Sequence, residues 1–288
     1  MPPDPTGPEA RFPRAMFRDD THKSSFWRIW GVLDIIYHSA VRSVRKAHSN
    51  AVMAIFVAVT QKIVLVAVFF LLFSLLGLRG MAIRGDFVLY VMTGVFLFRT
   101  HVATVGAVVA AEGPNAPIMK HAPLNSVISI AAVSLAQLYI NVIAVFVILF
   151  LYHAVWQPIT ILDPVGAMGM LILAWFSGVA VGTIFLAIKP WFPNFVSIAS
   201  MLYMRANMIF SGKMFVANSL PAHMLPIFDW NPLFHIIDQA RGFTFINYNP
   251  HFTSITYPLA VSAVLIVLGM MGEFYTRQRA SLSWKARQ

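Results

Sequence analysis

Three cationic residues interrupt the long apolar runs of this sequence: Lys62, Arg99 and Arg205. The same runs contain no Asp or Glu away from their ends, so no acidic side chain within them can neutralise these charges. In a membrane-spanning helix, a charge at the bilayer centre costs about 2.5–3.5 kcal/mol. Such a residue needs backbone carbonyls, water or an anion beside it. Anion binding is the chemistry that the three residues offer, and we predict that they line a path for an acidic substrate.

Two alternatives stay open for these cations. They can contact backbone carbonyls or water between helices, and the flexible stem of Lys62 makes snorkelling towards the membrane surface easiest for that residue. A span boundary can also lie elsewhere than predicted. Lys213, at the end of the fifth apolar run, is a fourth candidate for the substrate path.

Motifs for enzymatic chemistry are absent from the sequence. The stretch from Ser211 to Met214 lacks the upstream Gly and the hydroxyl residue of a G-x-x-x-x-G-K-[ST] phosphate loop. No H-E-x-x-H or G-x-S-x-G motif occurs, the nine histidines are scattered, and cysteine is missing. We therefore predict that this chain is not an enzyme, with no catalytic residues, no metal site and no bound cofactor.

Six continuous apolar runs dominate the chain. Of its 288 residues, 58% are hydrophobic and 11% are charged, whereas about a quarter of the residues in ordinary soluble domains are charged. A helix of about 20 apolar residues crosses a bilayer. The predicted fold class is therefore an all-α integral membrane protein with about six transmembrane helices, at 51–78, 87–111, 124–152, 165–188, 195–216 and 255–271.

The positive charges predict the orientation of the chain. Eight of the 21 Lys and Arg residues precede position 51, and four follow position 276. Since Lys and Arg are enriched on the cytoplasmic side of membrane proteins, we predict a multi-pass inner-membrane protein with both termini in the cytoplasm. This placement accounts for the net charge of +10, and we predict no nucleic-acid partner.

The chain divides into four predicted segments. Residues 1–25 hold prolines and scattered charges, which predicts a disordered cytosolic tail. Residues 26–50 carry an apolar stripe at helical spacing with basic residues between, which predicts an amphipathic interfacial helix in the lipid headgroup layer. Packing of that helix on a partner's soluble domain is the alternative. The six-span transmembrane domain covers 51–275, and 276–288 form a basic cytosolic tail.

The segment 217–254, between the fifth and sixth predicted spans, is too long for a simple turn. Asn231 and Pro232 predict a helix start, with Asn as the N-cap and Pro at the first helical position. An apolar stripe follows from Leu233 to Ala240. We predict a re-entrant hairpin at the outer face of the membrane, with a solvated outer loop as the alternative.

Several short motifs, taken in this order along the chain, resemble one membrane-protein family. The basic amphipathic helix before the first span is the first of them. The most specific is the W-N-P-L stretch, Trp230-Asn231-Pro232-Leu233. The others match by layout: Thr93-Gly94, Glu112-Gly113-Pro114-Asn115, His121-Ala122-Pro123-Leu124, Ser211-Gly212, Ser219-Leu220-Pro221 and Arg241. Over about residues 27–275 the chain resembles the permease subunits of the ABC exporters for capsular polysaccharide and O-antigen.

The resemblance implies an assembly and a route. Such permeases are expected to be homodimers in the bacterial inner membrane that bind two separate ATP-binding subunits, which carry the ATP and Mg. A lipid-linked polysaccharide would pass between the protomers towards periplasmic and outer-membrane export proteins. The cytoplasmic loop would rest on the ATPase through Glu112, Asn115, Lys120 and His121, and the outer hairpin would shape the exit through Trp230, Asn231, Pro232 and Arg241.

The chain departs from the family pattern at two positions. Val59-Thr60-Gln61-Lys62 stands where members often carry a Trp followed by Pro, and Lys213 stands where an apolar residue is usual. The expected function is the transmembrane permease of an exporter for an acidic, capsule-type polysaccharide. An ABC exporter of a lipid or drug, or a non-transporting membrane scaffold for envelope synthesis, are the alternatives.

Overall fold

The computed structural model describes residues 25–47, 51–75, 83, 85–111 and 126–285. Within these ranges the regular secondary structure is helical, without strands. The α-helices are α1 (Ser25–Ala47), α2 (Ala51–Leu75), α3 (Phe87–Val109), α4 (Ser126–Val155), α5 (Pro164–Ile188), α6 (Pro193–Phe210), α7 (Leu225–Asp229), α8 (Pro232–Thr244) and α9 (Thr256–Lys285).

Five of these helices are long and apolar enough to cross a membrane: α2, α3, α4, α5 and α9. This confirms the all-α membrane fold class with five candidate transmembrane helices, whereas α6 is less apolar than these five. The predicted fifth span, 195–216, forms α6, which has 18 residues and ends at Phe210. Asn194, Arg205 and Asn207 lower the hydropathy of this helix, and the chain turns at Gly212 instead of continuing.

The first and last helices of the described region differ in part from the segments that we predicted from the sequence. Helix α9 begins at Thr256 and runs on to Lys285, so it extends into the segment that we predicted as a basic tail. Helix α1 lies along α4 and α2, and Ala40 of α1 and Ala58 of α2 both pack against Ala136 and Ile140 of α4. Trp30, Leu33 and Tyr37 of the α1 apolar stripe are exposed, and the position of α1 in the headgroup layer stays a prediction.

Helix α5 is the centre of the bundle, because it packs extensively against both α3 and α9. Small residues make this close packing possible. A Cβ added at Gly178 would lie 2.7 Å from the His101 carbonyl oxygen of α3, and one at Gly182 would lie 2.7 Å from the Val108 Cβ. Small residues one turn apart let membrane helices approach at backbone distance, so this pair positions α3 directly on α5.

The segment after α6 folds back into the bundle as a buried hairpin. Gly212 has a φ of 68°, and a Cβ there would lie 2.5 Å from the Phe234 ring, so both the turn and the packing require glycine. Helix α8 follows and packs against α3, α5 and α9. Its apolar residues from Leu233 to Ala240 are buried, whereas a solvated loop would leave them exposed. The position of this hairpin in a bilayer stays a prediction.

Candidate functional site

Arg241 is the anchor of the hairpin. Its side chain is 0% exposed and donates hydrogen bonds to three backbone carbonyls, those of Gly212 (2.9 Å), Lys213 (2.7 Å) and Phe215. The guanidinium carbon also lies 4.3 Å from the centroid of the Tyr90 ring. Arg241 therefore joins α8 to the turn after α6 and to the start of α3. Because its side chain is fully buried, it lies away from any surface that a polymer could contact.

Asn231 ties the start of α8 to the end of α6. Its Oδ1 accepts a hydrogen bond from the Leu233 amide (3.0 Å), and its Nδ2 donates to Asn207 Oδ1 (3.0 Å) and to the Phe210 carbonyl (2.9 Å). The predicted helix start is confirmed, with Pro232 in the first turn. Asn231 and Pro232 thus build the hairpin, whereas the neighbouring Trp230 is exposed.

A buried carboxylate, missed by sequence reasoning, holds the far side of the hairpin. Asp238 accepts hydrogen bonds from the Ala217 amide (3.1 Å), from Thr253 Oγ1 (2.8 Å) and from the Tyr248 hydroxyl. Burial raises the pKa of the Tyr248 phenol, and the neighbouring Asp238 charge raises it further. The sequence feature that could have indicated its role is the position of one acidic residue on the apolar stripe of α8, three positions before Arg241.

Lys62 is buried between α2 and α4. Its Nζ donates a 2.7 Å hydrogen bond to Asn141 Oδ1, and the Asn141 amide donates in turn to the Gln137 carbonyl at 2.8 Å. The first cation is therefore held by a neutral side-chain amide between helices, whereas the alternative given above named backbone carbonyls or water. Asn141, 79 positions away, was not identified as its partner from the sequence.

Arg99 lines an open groove of about 510 Å³ on the α2 side of α3. Its Nη2 donates a 2.7 Å hydrogen bond to Gln61 Oε1, whereas a guanidinium has five N–H donors. The other lining residues are Phe56, Val57, Thr60, Gln61, Val64, Leu65 and Val68, and none of them is acidic. The groove thus combines apolar walls with one incompletely paired cation.

Lys213 lies next to this groove but is enclosed. Its side chain is 3% exposed, and its Nζ lies 3.8 Å from the centroid of the Phe98 ring and 4.8 Å from that of Phe69. The amine has no hydrogen-bond partner among the described residues. Aromatic faces attract a cation electrostatically, so the two rings replace part of its hydration.

Three of the four predicted path residues form one group, here called the cation cluster: Lys62, Arg99 and Lys213. Gln61, bonded to Arg99, precedes Lys62, and Phe98, under Lys213, precedes Arg99. Arg205 is exposed on α6, and no hydrogen bond or ion pair in the described ranges joins it to the cluster.

A buried histidine links three helices and was also missed from the sequence. The two ring nitrogens of His101 lie 2.9 Å from Ser177 Oγ and 3.0 Å from the Tyr203 hydroxyl, which connects α3 with α5 and α6. In the sequence, His101 is a single histidine inside an apolar run and belongs to no functional motif. The arrangement is a polar contact between helices.

Two predictions remain, namely the residues that would contact the ATPase and the absence of a metal site. Glu112, Asn115, Lys120 and His121 lie outside the described residues. Among the residues that the structure does describe, no group of three His, Cys, Asp or Glu side chains is placed to hold a metal ion.

Comparison with known proteins gives one clear relationship. No family model matches the chain. Two sequences of the polysialic acid transport protein KpsM of Escherichia coli are each 25% identical to it over 184 residues, covering 62% of this chain and 67% of each relative. The chain is therefore similar to KpsM over about two thirds of its length. The similarity to KpsM confirms the resemblance to the permease family of capsule exporters.

The likeness to KpsM agrees with the structure described above. A membrane transport protein needs several apolar helices, and the residues that the structure describes include five such helices. The KpsM relationship also agrees with the prediction of a transport subunit rather than an enzyme. By its name KpsM transports polysialic acid, and that substrate is stated of KpsM alone.

Proposed function

We propose that this chain is the transmembrane permease of an ABC exporter that moves an acidic, capsule-type polysaccharide across the bacterial inner membrane. The homology with KpsM is the observation that carries this proposal, and the apolar helices support it. Both termini lie in the cytoplasm, since most of the Lys and Arg residues outside the spans lie on that side. This orientation requires an even number of crossings, so α6 crosses the membrane as a sixth, less apolar helix.

The working exporter is a homodimer with two copies of a separate ATP-binding subunit. This chain carries no phosphate loop, so ATP and Mg are bound by the partner. The loop with Glu112, Asn115, Lys120 and His121 rests on that partner and transmits its movement. Periplasmic and outer-membrane export proteins receive the polymer.

Arg99 is the residue of the cation cluster that contacts the anionic substrate. Lys62 is satisfied by Asn141 and Lys213 by two aromatic rings, whereas the Arg99 guanidinium faces an open groove with donors to spare. The two lysines contribute positive potential, which a medium of low dielectric constant screens weakly. An anionic group of the lipid-linked glycan therefore binds here.

Arg205 offers a second contact for the same substrate. It is exposed on α6 on the same face as Ile198 and Leu202, which are also exposed. An arginine on an otherwise apolar exposed face needs a wet or anionic environment inside a membrane. A conduit between two protomers supplies that environment.

Export of a lipid by an ABC transporter is the second candidate function. The observation that favours it is the apolar lining of the Arg99 groove. Five of the eight lining residues have wholly apolar side chains, and a sixth, Thr60, contributes a methyl group. A lipid with an anionic head would satisfy both the walls and the guanidinium.

Deletion of the gene, with surface and intracellular glycan measured separately, tests the proposal. We expect polysaccharide to disappear from the surface and to accumulate inside the cell. The accumulated polymer would identify the substrate. Unchanged surface glycan without intracellular accumulation would overturn polysaccharide export and leave lipid export or a scaffold.

A further inference from the structure

A second cavity, of about 610 Å³, opens at the end of the bundle where α9 begins. Its volume falls within the range of ordinary ligand sites, which is about 300–1,000 Å³. It is separate from the Arg99 groove, and it is formed by the hairpin and the segment before α9. The lining residues are Pro226, Asp229, Trp230, His235, His251, Phe252, Thr253, Ser254 and Tyr257.

The walls of this cavity are fixed by hydrogen bonds. The Tyr257 hydroxyl donates to the Trp230 carbonyl at 2.8 Å, which joins the start of α9 to the hairpin. The Gln239 amide donates to the carbonyl and the hydroxyl of Thr253, at 2.7 and 3.0 Å. The His235 ring lies 4.8 Å from the Tyr257 ring between their centroids. The cavity is therefore formed before any ligand binds.

His235 contacts Asp229 at the edge of the cavity, and the Asp229 carboxylate remains available to a ligand. The His235 Nδ1 accepts a hydrogen bond from the Ser254 amide at 3.1 Å, so the proton is on Nε2, which donates to the Asp229 carbonyl at 2.7 Å. The Asp229 Oδ1 lies 3.1 Å from the same Nε2. Because that N–H is shared with the Asp229 carbonyl, the half-exposed carboxylate keeps most of its acceptor capacity for a ligand.

Two aromatic side chains in the cavity lining are each more than half exposed. Trp230 is 60% exposed and Phe252 is 52% exposed. The face of an aromatic ring carries partial negative charge, and the C–H bonds on one face of a sugar ring carry small positive charges. Exposed rings beside a carboxylate that accepts hydroxyl hydrogens therefore suit a ligand with one apolar face and several hydroxyl groups.

We infer that this cavity is a binding site for one uncharged pyranose unit of the exported glycan. The sugar stacks on Trp230 and Phe252, and its hydroxyls donate to Asp229. A uronate unit is disfavoured, because its carboxylate would lie beside the Asp229 charge. This inference rests on the proposed function, and it adds a contact at the hairpin that recognises the neutral units of the polymer, whereas Arg99 recognises an anionic group.

Saturation-transfer NMR with the full chain in lipid nanodiscs tests the site, using N-acetylglucosamine and glucuronate as probes. We expect transfer to the ring protons of N-acetylglucosamine, with several-fold weaker transfer to glucuronate. Trp230→Ala and Asp229→Asn should each reduce the N-acetylglucosamine signal several-fold, and Trp230→Phe should keep most of it, because a ring remains. Trp156→Ala is the matched control, since Trp156 is 75% exposed and lies outside the cavity lining.

The outcomes separate this site from the proposed function. No transfer in the wild-type protein, or equal losses in the Trp230→Ala and Trp156→Ala variants, would overturn the sugar site even if gene deletion blocks export. A transfer signal that depends on Trp230 and Asp229, together with unchanged export after gene deletion, would support the sugar site and overturn polysaccharide export instead.

Discussion

Arg99 and Arg241 are both arginines among apolar helices, but their surroundings give them different tasks. The Arg241 guanidinium is fully buried and bonded to three carbonyls, whereas that of Arg99 faces a groove with one bond to Gln61. A paired, enclosed cation stabilises the fold. An incompletely paired cation beside an open groove is available to a substrate.

Replacing Arg241 should destabilise the hairpin. In Arg241→Ala three buried carbonyls lose their donor, and since hydrogen bonds to a charged group contribute about 1.5–3 kcal/mol each, we expect a loss of about 3 kcal/mol or more. Arg241→Lys should also be unstable, because an ammonium cannot reproduce the planar fork. Thermal unfolding of the purified protein measures this, with the exposed Arg279→Ala as control. Equal melting temperatures for all variants would show that the clamp contributes nothing.

Replacing Arg99 should impair transport and leave the protein stable. Arg99→Gln keeps a hydrogen-bonding side chain but removes the charge, so we expect export of an acidic polymer to fall several-fold at unchanged protein level. Arg99→Lys should retain part of the rate. Surface glycan and membrane-inserted protein are measured in the same cells, with Arg279→Gln as the control for loss of a positive charge. Normal export by Arg99→Gln would remove this residue from the substrate path.

At the scale of the elements, the contact of α3 with α5 depends on glycine in one helix. Gly178 lies against the backbone of α3, whereas a Cβ at Gly169, also in α5, would meet nothing within 4 Å. The two positions share a helix and differ in their surroundings. They therefore separate the effect of helix packing from the effect of glycine on helix propensity.

Gly178→Ala should destabilise the bundle, and Gly169→Ala should not. The first variant forces α3 away from α5, and overpacking of this kind costs about 1–3 kcal/mol. The second removes backbone freedom from the unfolded chain and should stabilise by about 0.4–1 kcal/mol. Thermal or denaturant unfolding of the two purified variants checks the opposite signs. Equal stabilities would mean that the helices are not in backbone contact at Gly178.

For the whole molecule, the sequence predicted what depends on local pattern. Long apolar runs predicted the helices, and Asn231 with Pro232 predicted the start of α8. The extent of α6 was wrong, because hydropathy averaged over a run does not detect the left-handed turn at Gly212. The sequence also did not predict that Lys62, Arg99 and Lys213 form one cluster, because they are far apart along the chain.

Contacts between residues that are distant in the sequence could not be predicted, and the reason is physical. The carbonyls that hold Arg241 lie 26 to 29 positions away, and a backbone carbonyl leaves no signature in a side-chain pattern. Asn141, which holds Lys62, is one of several polar residues in α4 that could have faced either neighbour. Which of them faces α2 is decided by helix packing.

The central claim is that this chain moves newly made polysaccharide out of the cytoplasm. The most direct measurement is to deplete the protein in growing cells, pulse-label the sugar precursors, and follow labelled polymer at the surface and inside over time. We predict that synthesis continues while labelled polymer stops reaching the surface and accumulates in the cytoplasm, and that re-expression restores its passage. An unchanged rate of surface appearance in depleted cells would contradict the account.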